Sequence, residues 1–136
     1  MHIFRSVLFA AALCGVALLA GQRVLAHGDV TPQPVDTTGL DPLGEDWREV
    51  NPYRCNAVAL KIGASGYNQN CARCHGLQAV SGGLAPDLRY LDKADEGDKW
   101  FIGRIRHGYT QNGLTKMPAF EGVISQEAMS ASVSAR

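Results

Sequence analysis

The chain lacks an excess of either charge: 13 Lys and Arg are balanced by 13 Asp and Glu among 136 residues. Composition therefore excludes a nucleic-acid binder or a strongly basic carrier, both of which concentrate positive charge. The chain also lacks a hydrophobic run long enough to span a membrane comfortably. The apolar stretch from Val7 to Ala20 is too short and gives way to polar, Pro-rich sequence. No internal repeat or low-complexity tract appears, so one small domain is expected. Cysteine is sparse. Cys14 lies in the first apolar stretch, Cys71 and Cys74 share one motif, and Cys55 has no partner, which excludes a disulfide-stapled fold.

Residues 1–26 read as a secretory signal peptide. Arg5 supplies the positive start, the apolar run follows, and Val24-Leu25-Ala26 ends in a small residue that a signal peptidase accepts. The alternative is an uncleaved anchor. Removing Arg5 and Arg23 leaves 11 basic residues against 13 acidic ones, a net charge of about −2. Residues 27–52 form an acidic, Pro-rich tail with Pro32, Pro34, Pro42 and Pro52, and residues 53–136 form the domain. Trp47 and Tyr53 are the aromatic residues available to pin the tail to the body. Two acidic clusters stand out, one from Asp29 to Glu49 and one of Asp92, Asp95, Glu96 and Asp98; the simplest reading of each is a solvated face.

Cys71-Ala72-Arg73-Cys74-His75 carries the chemistry. Cys-x-x-Cys-His is the attachment signature of a c-type haem. The two thiols add across the porphyrin vinyl groups, and the adjacent imidazole binds the iron from below. A thioredoxin-like redox pair wants a βαβ context, and half of a zinc site wants a fourth ligand and usually a second Cys pair; neither is present. One covalent haem c is therefore the expected cofactor. Its attachment outside the cytoplasm agrees with the leader and points to the periplasm, with no membrane span once the leader is removed.

Local patterns give the expected elements. A helix runs from Asn56 to about Asn70, with Val58, Ile62 and Tyr67 near one face. Gly63 and Gly66 weaken it by nearly 1 kcal/mol each and suggest close approach by another backbone. Gly82 to Leu88 is a loop ending in a short apolar element through Leu91. Residues 96–107 form a helix with Trp100, Phe101 and Ile105 on one face and a stop at Gly108. Residues 109–116 are loop, and Ser125 caps a last helix from Gln126.

An iron with one imidazole needs a sixth ligand if it is to move electrons without binding other molecules. His27, His107, Met117 and Met129 are the available His and Met side chains. Met117 is preferred, on a loop and followed by Pro118, which restricts the approach of the sulfur. A thioether is soft and neutral and raises the potential by favouring ferrous iron. His107 reads as a surface residue at a helix end, His27 as a mobile terminus, and Met129 as core.

Together these features resemble a class I cytochrome c: Gly63 and Tyr67 before the first haem Cys, the motif Cys71 to Gly76, Ala85-Pro86-Asp87-Leu88, and Lys116-Met117-Pro118-Ala119-Phe120. The strings Gly66 to Asn70 and Gly82 to Leu91 resemble the periplasmic c-550 group that accepts electrons from pyrroloquinoline-quinone (PQQ) alcohol dehydrogenases. The resemblance implies an all-α fold of three to four short helices wrapped around one haem. It implies that the Pro86 carbonyl accepts a hydrogen bond from the outer nitrogen of His75. It implies a monomeric electron carrier, not an enzyme, with a PQQ-dependent alcohol dehydrogenase as donor and an oxidase or another cytochrome as acceptor. Arg104, Arg106 and Lys116 fall where the haem edge is expected, and Trp100 or Tyr90 is the candidate donor to a propionate. Leu84, Leu88, Phe101, Ile105 and Phe120 are candidates for the apolar wall, with Asn112 and Thr115 as polar neighbours of Met117. The competing readings are a haem enzyme or sensor with an open distal site, and a cytochrome subunit of a dehydrogenase complex.

One departure from the family stands out. An aliphatic residue is expected near Ser132 and an aromatic near Ala135. Their absence reads as a truncated or frame-shifted end after Met129, with a shortened last helix. Two missing buried side chains cost several kcal/mol where only about 5–15 kcal/mol is in hand, so a less stable holoprotein with a labile Met117 bond is expected.

Overall fold

The computed structural model describes residues 31–135. The leader and His27 lie outside the described residues. Four α-helices appear among them: α1 (Ala57–Asn70), α2 (Ala72–His75), α3 (Asp95–His107) and α4 (Gln126–Ser134). The described fold is mostly helical, as the resemblance implied. Asn56 starts α1 by accepting hydrogen bonds from the amides of Val58 and Ala59 at 2.9 and 3.0 Å. Ser125 starts α4, its hydroxyl accepting from the Ala128 amide at 3.2 Å. Helix α3 carries Asp95, Glu96 and Asp98 in its first turn and Arg104, Arg106 and His107 in its last, each set opposing the helix dipole.

One correction concerns residues 109–116, expected as loop. They build a hairpin, in which β1 (Tyr109–Gln111) pairs antiparallel with β2 (Leu114–Met117) and Met117 stands opposite Tyr109. Asn112 and Gly113 both take positive φ, 51° and 74°, which is the type I′ turn that fits the twist of a two-residue hairpin.

The core rests on the crossing of α1 and α4. A Cβ placed on Gly63 would lie 2.0 Å from the Ala131 carbonyl oxygen, so the two backbones touch there. The buried face of α1 is Ala59, Gly63, Gly66, Tyr67 and Asn70, whereas Val58, expected inside, is 43% exposed. The face is set by backbone approach and not by the largest apolar residues. Residues 31–52 have no helix or strand but form a strap over this crossing. Val35 methyls sit 3.1–3.2 Å from where a Gly66 Cβ would be, beside Ser132, which is buried; the aliphatic contact expected from position 132 comes from the strap. The Leu43 amide donates to Glu127 at 2.9 Å, the Arg48 amide to Gln126 at 2.6 Å, and the Tyr53 hydroxyl to the Asp41 carbonyl.

The second acidic cluster is not wholly a solvated face. Asp98 is buried, 2.6 Å from Arg54 Nη2, and accepts from the Asn51 amide at 3.1 Å. Pairing and hydrogen bonding offset the cost of burying that charge.

Gly63→Ala is expected to lower stability by about 2 kcal/mol, the overpacking cost reduced by the gain in helix propensity. Gly82→Ala, where the added Cβ meets nothing within 4 Å, is the control and is expected to be neutral. Thermal unfolding of both holoproteins checks this.

Candidate haem site

Helix α1 ends at Asn70 and its chain passes directly into Cys71, whose amide bonds the Tyr67 carbonyl at 2.8 Å. The single turn α2 then places Cys71, Cys74 and His75 close together. These three, with Pro86 and Met117, all line one cavity of about 560 Å³ between α2, the 81–88 loop, α3 and the hairpin. That volume falls in the range of about 300–1,000 Å³ usual for cofactor sites. All five apolar residues expected as wall, Leu84, Leu88, Phe101, Ile105 and Phe120, line it.

The geometry around His75 fits a haem. Its Nδ1 lies 2.8 Å from the Pro86 carbonyl oxygen. A carbonyl only accepts, so Nδ1 carries a proton in this bond, which in a neutral imidazole leaves the Nε2 lone pair for a metal. The loop that presents Pro86 is stapled by Asp87. Its carboxylate accepts from the Ser81 amide at 3.3 Å, from the Arg89 amide at 3.1 Å, and from Arg89 Nε and Nη2 at 2.9 and 2.7 Å. The Ser81 hydroxyl donates to the Ala85 carbonyl. On the other side of the motif, the Tyr67 hydroxyl donates to the Gly76 carbonyl at 2.8 Å. Burial first, and then the nearby Cys71, push the Tyr67 hydroxyl up to about 12, so it remains a donor.

The alternatives to haem fit less well. Burial first, and then the neighbouring Cys74, push the Cys71 thiol up to about 12. A redox Cys-x-x-Cys pair works through a lowered thiol pKa. Among the described residues no group of three or more His, Cys, Asp or Glu converges to hold a metal ion, as a zinc site must.

The other expected residues divide. Arg104 and Lys116 line the cavity. The Arg104 guanidinium sits between Trp100 and Tyr109, 5.0 and 4.6 Å from their ring centroids. Arg106 does not line it and turns instead towards Glu121 and Trp47. Trp100 lines the cavity, whereas Tyr90 points out and is 85% exposed. Asn112 and Thr115 do not line it. His107 is exposed at the end of α3, and Met129 is buried in the core. Cys55 is exposed, with φ of 66°. Asn70, Tyr109 and Gln111 line the cavity without having been expected. The Asn-Gly pair at 112–113 was the signal for the last two, since a hairpin there turns alternate side chains inward.

A family model described as cytochrome C oxidase, cbb3-type, subunit III matches residues 58–134, which hold all five expected site residues. The chain belongs to this family of cytochrome c-type domains and is a class I cytochrome c: an electron carrier with covalently bound haem c, not an enzyme. Its relatives include cytochrome c550 of Pseudomonas aeruginosa, 54% identical over 86% of each chain. Quinohemoprotein alcohol dehydrogenase ADH-IIG of Pseudomonas putida is 36% identical over 53% of this chain, a match spanning 9% of that longer protein. No solved structure matches. Among the described residues no helix is long and apolar enough to cross a membrane.

The staple predicts an acid limit for the loop. Hydrogen bonding from the Arg89 side chain is the main cause holding the Asp87 carboxyl well below its ordinary value of 3.8. A depressed carboxyl contributes stability that is complete above its unfolded pKa and is lost as pH falls through the folded one. Below pH 3.8 the parent is therefore expected to lose stability that Asp87→Asn never had. Thermal midpoints of the two proteins from pH 7 downward check this; parallel curves would contradict it.

Proposed function

We propose that Cys71 and Cys74 hold the haem through thioethers and that His75 and Met117 are its axial ligands. The single observation that carries this reading is the convergence of all four residues on one apolar-walled cavity. The Pro86 carbonyl orients His75 and makes its free nitrogen a stronger donor. Met117 would offer the iron a neutral sulfur, a ligand that favours the ferrous state and so raises the potential. The apolar wall keeps water away, and Arg104, held between two rings, brings positive charge to the edge of the cavity. Bound haem supplies a one-electron ferric–ferrous couple.

The carrier works in the periplasm. It takes electrons from a PQQ-dependent alcohol dehydrogenase and passes them to an oxidase or another cytochrome. The leader pattern of residues 1–26 supports the location. The similarity to a quinohemoprotein alcohol dehydrogenase supports the donor, since a segment of that enzyme is 36% identical to 53% of this chain. Encounter is brief, through the exposed haem edge, and steered by charge.

Absorption spectra of the matured protein test the ligands. The parent is expected to show a sharp ferrous c-type band and a weak long-wavelength ferric sulfur-to-iron band. Met117→Leu is expected to lose the second band and to lower the potential. A high-spin ferric parent would contradict Met117 ligation. Mixing the ferric protein with a PQQ-dependent alcohol dehydrogenase and ethanol tests the donor: the ferrous band is expected to appear, more slowly as salt rises. Its absence would remove the donor and leave the carrier role standing.

A further inference from the structure

Met117 is tied on both sides to the C-terminal part of α3. On its N-terminal side, β2 pairs with β1 beside Gly108. On its C-terminal side, beyond Pro118, the Phe120 amide donates to the Ile105 carbonyl at 3.0 Å and the Glu121 amide to the Arg106 carbonyl at 3.4 Å. These main-chain bonds are available to many sequences. The Glu121 end has in addition a stack of three side chains from three parts of the fold. Arg106 Nε and Nη2 donate to the two carboxylate oxygens of Glu121 at 3.2 and 3.0 Å. The Arg106 guanidinium carbon lies 3.9 Å from the ring centroid of Trp47. Trp47 belongs to the strap and packs against the core. His107 Nδ1 stands 3.6 Å from the same carboxylate.

The stack is more than an ordinary surface ion pair. The Arg106 side chain is only 24% exposed and the Glu121 side chain 38%. The fork is bidentate and its other face lies on a ring, an arrangement that lysine cannot reproduce. The cation–π contact adds to the charge pair and does not compete with it.

We infer that Arg106, stacked on Trp47 and forked onto Glu121, is a positioning residue for Met117: it clamps the segment 117–121 and keeps the thioether at its ligand position. The inference rests on the reading of Met117 as a ligand. A neutral thioether is a weak donor, and it persists against free imidazole because the chain holds it at high effective concentration. Loosening the clamp lowers that concentration without touching the sulfur.

Imidazole titration of the ferric holoprotein tests this. Arg106→Ala and Glu121→Gln are each expected to bind imidazole about tenfold more tightly than the parent, for the loss of one partly covered, stacked ion pair. The double variant is expected to go no further, because either change opens the same clamp. Arg106→Lys is expected to restore only part of the parent value. Lys99→Gln, which breaks the exposed pair with Glu49, is the control and is expected to leave imidazole binding unchanged. Unchanged imidazole affinity in Arg106→Ala and Glu121→Gln would overturn the inference. So would a lower thermal midpoint without a change in imidazole binding, since that assigns the stack to general stability. A parent without the ferric sulfur band would instead remove the Met117 assignment on which the inference stands.

Discussion

The contact of Gly63 with the Ala131 carbonyl is the constraint on which the rest of the molecule depends. Two backbones meet there without an intervening side chain, which fixes the crossing of α1 and α4. Because α1 runs straight into Cys71, the same contact fixes where the attachment turn begins. The strap completes the arrangement. Gln33 exchanges two hydrogen bonds with the Asn70 side chain, its amide donating at 2.7 Å and its carbonyl accepting at 3.1 Å. Asn70 lines the haem cavity and precedes the first thiol. Residues 31–52, without a regular element of their own, are thus tied to the start of the site.

The site itself separates two tasks. On the proximal side, rigidity comes from hydrogen bonds: the Pro86 carbonyl on His75, Asp87 under the loop, and Tyr67 on Gly76. The Pro86 carbonyl can only accept, so the proton of that bond belongs to His75 Nδ1. On the Met117 side, the sulfur depends on how its chain is held. The hairpin restrains it from one direction and the segment ending at Glu121 from the other. A protein whose task is to change iron charge by one unit benefits from this, because an environment that reorganises little between the two states adds little to the cost of transfer.

Much of this was legible in the sequence because the chemistry is local. Five consecutive residues specify the cofactor, and the wall residues Leu84, Leu88, Phe101, Ile105 and Phe120 follow from helical spacing and the family pattern. What escaped was non-local or carried by small residues. The buried face of α1 is set by glycine at a crossing, so counting large apolar residues favoured Val58. The solvated reading of Asp98 failed because its partner, Arg54, lies far off in sequence. Arg106 was placed at the haem edge by its position in α3, yet Trp47 and Glu121, from two other segments, draw it away. The hairpin differs from these cases: Asn112-Gly113 announced it within a stretch read as loop. The missing aliphatic at position 132 has a similar lesson, since Val35 supplies that contact from a segment with no periodicity to read.

The most direct test of the central claim, that Met117 and not Met129 faces the iron, is methyl NMR of the reduced holoprotein labelled with ¹³C at the methionine methyl groups. A methyl beneath the porphyrin is moved far upfield by the ring current, and Met117→Leu and Met129→Leu assign the signals. The account predicts that the Met117 methyl is strongly displaced and that the Met129 methyl, buried in the protein core, stays near the ordinary range. A displaced Met129 methyl, or no displaced methyl at all, would contradict it.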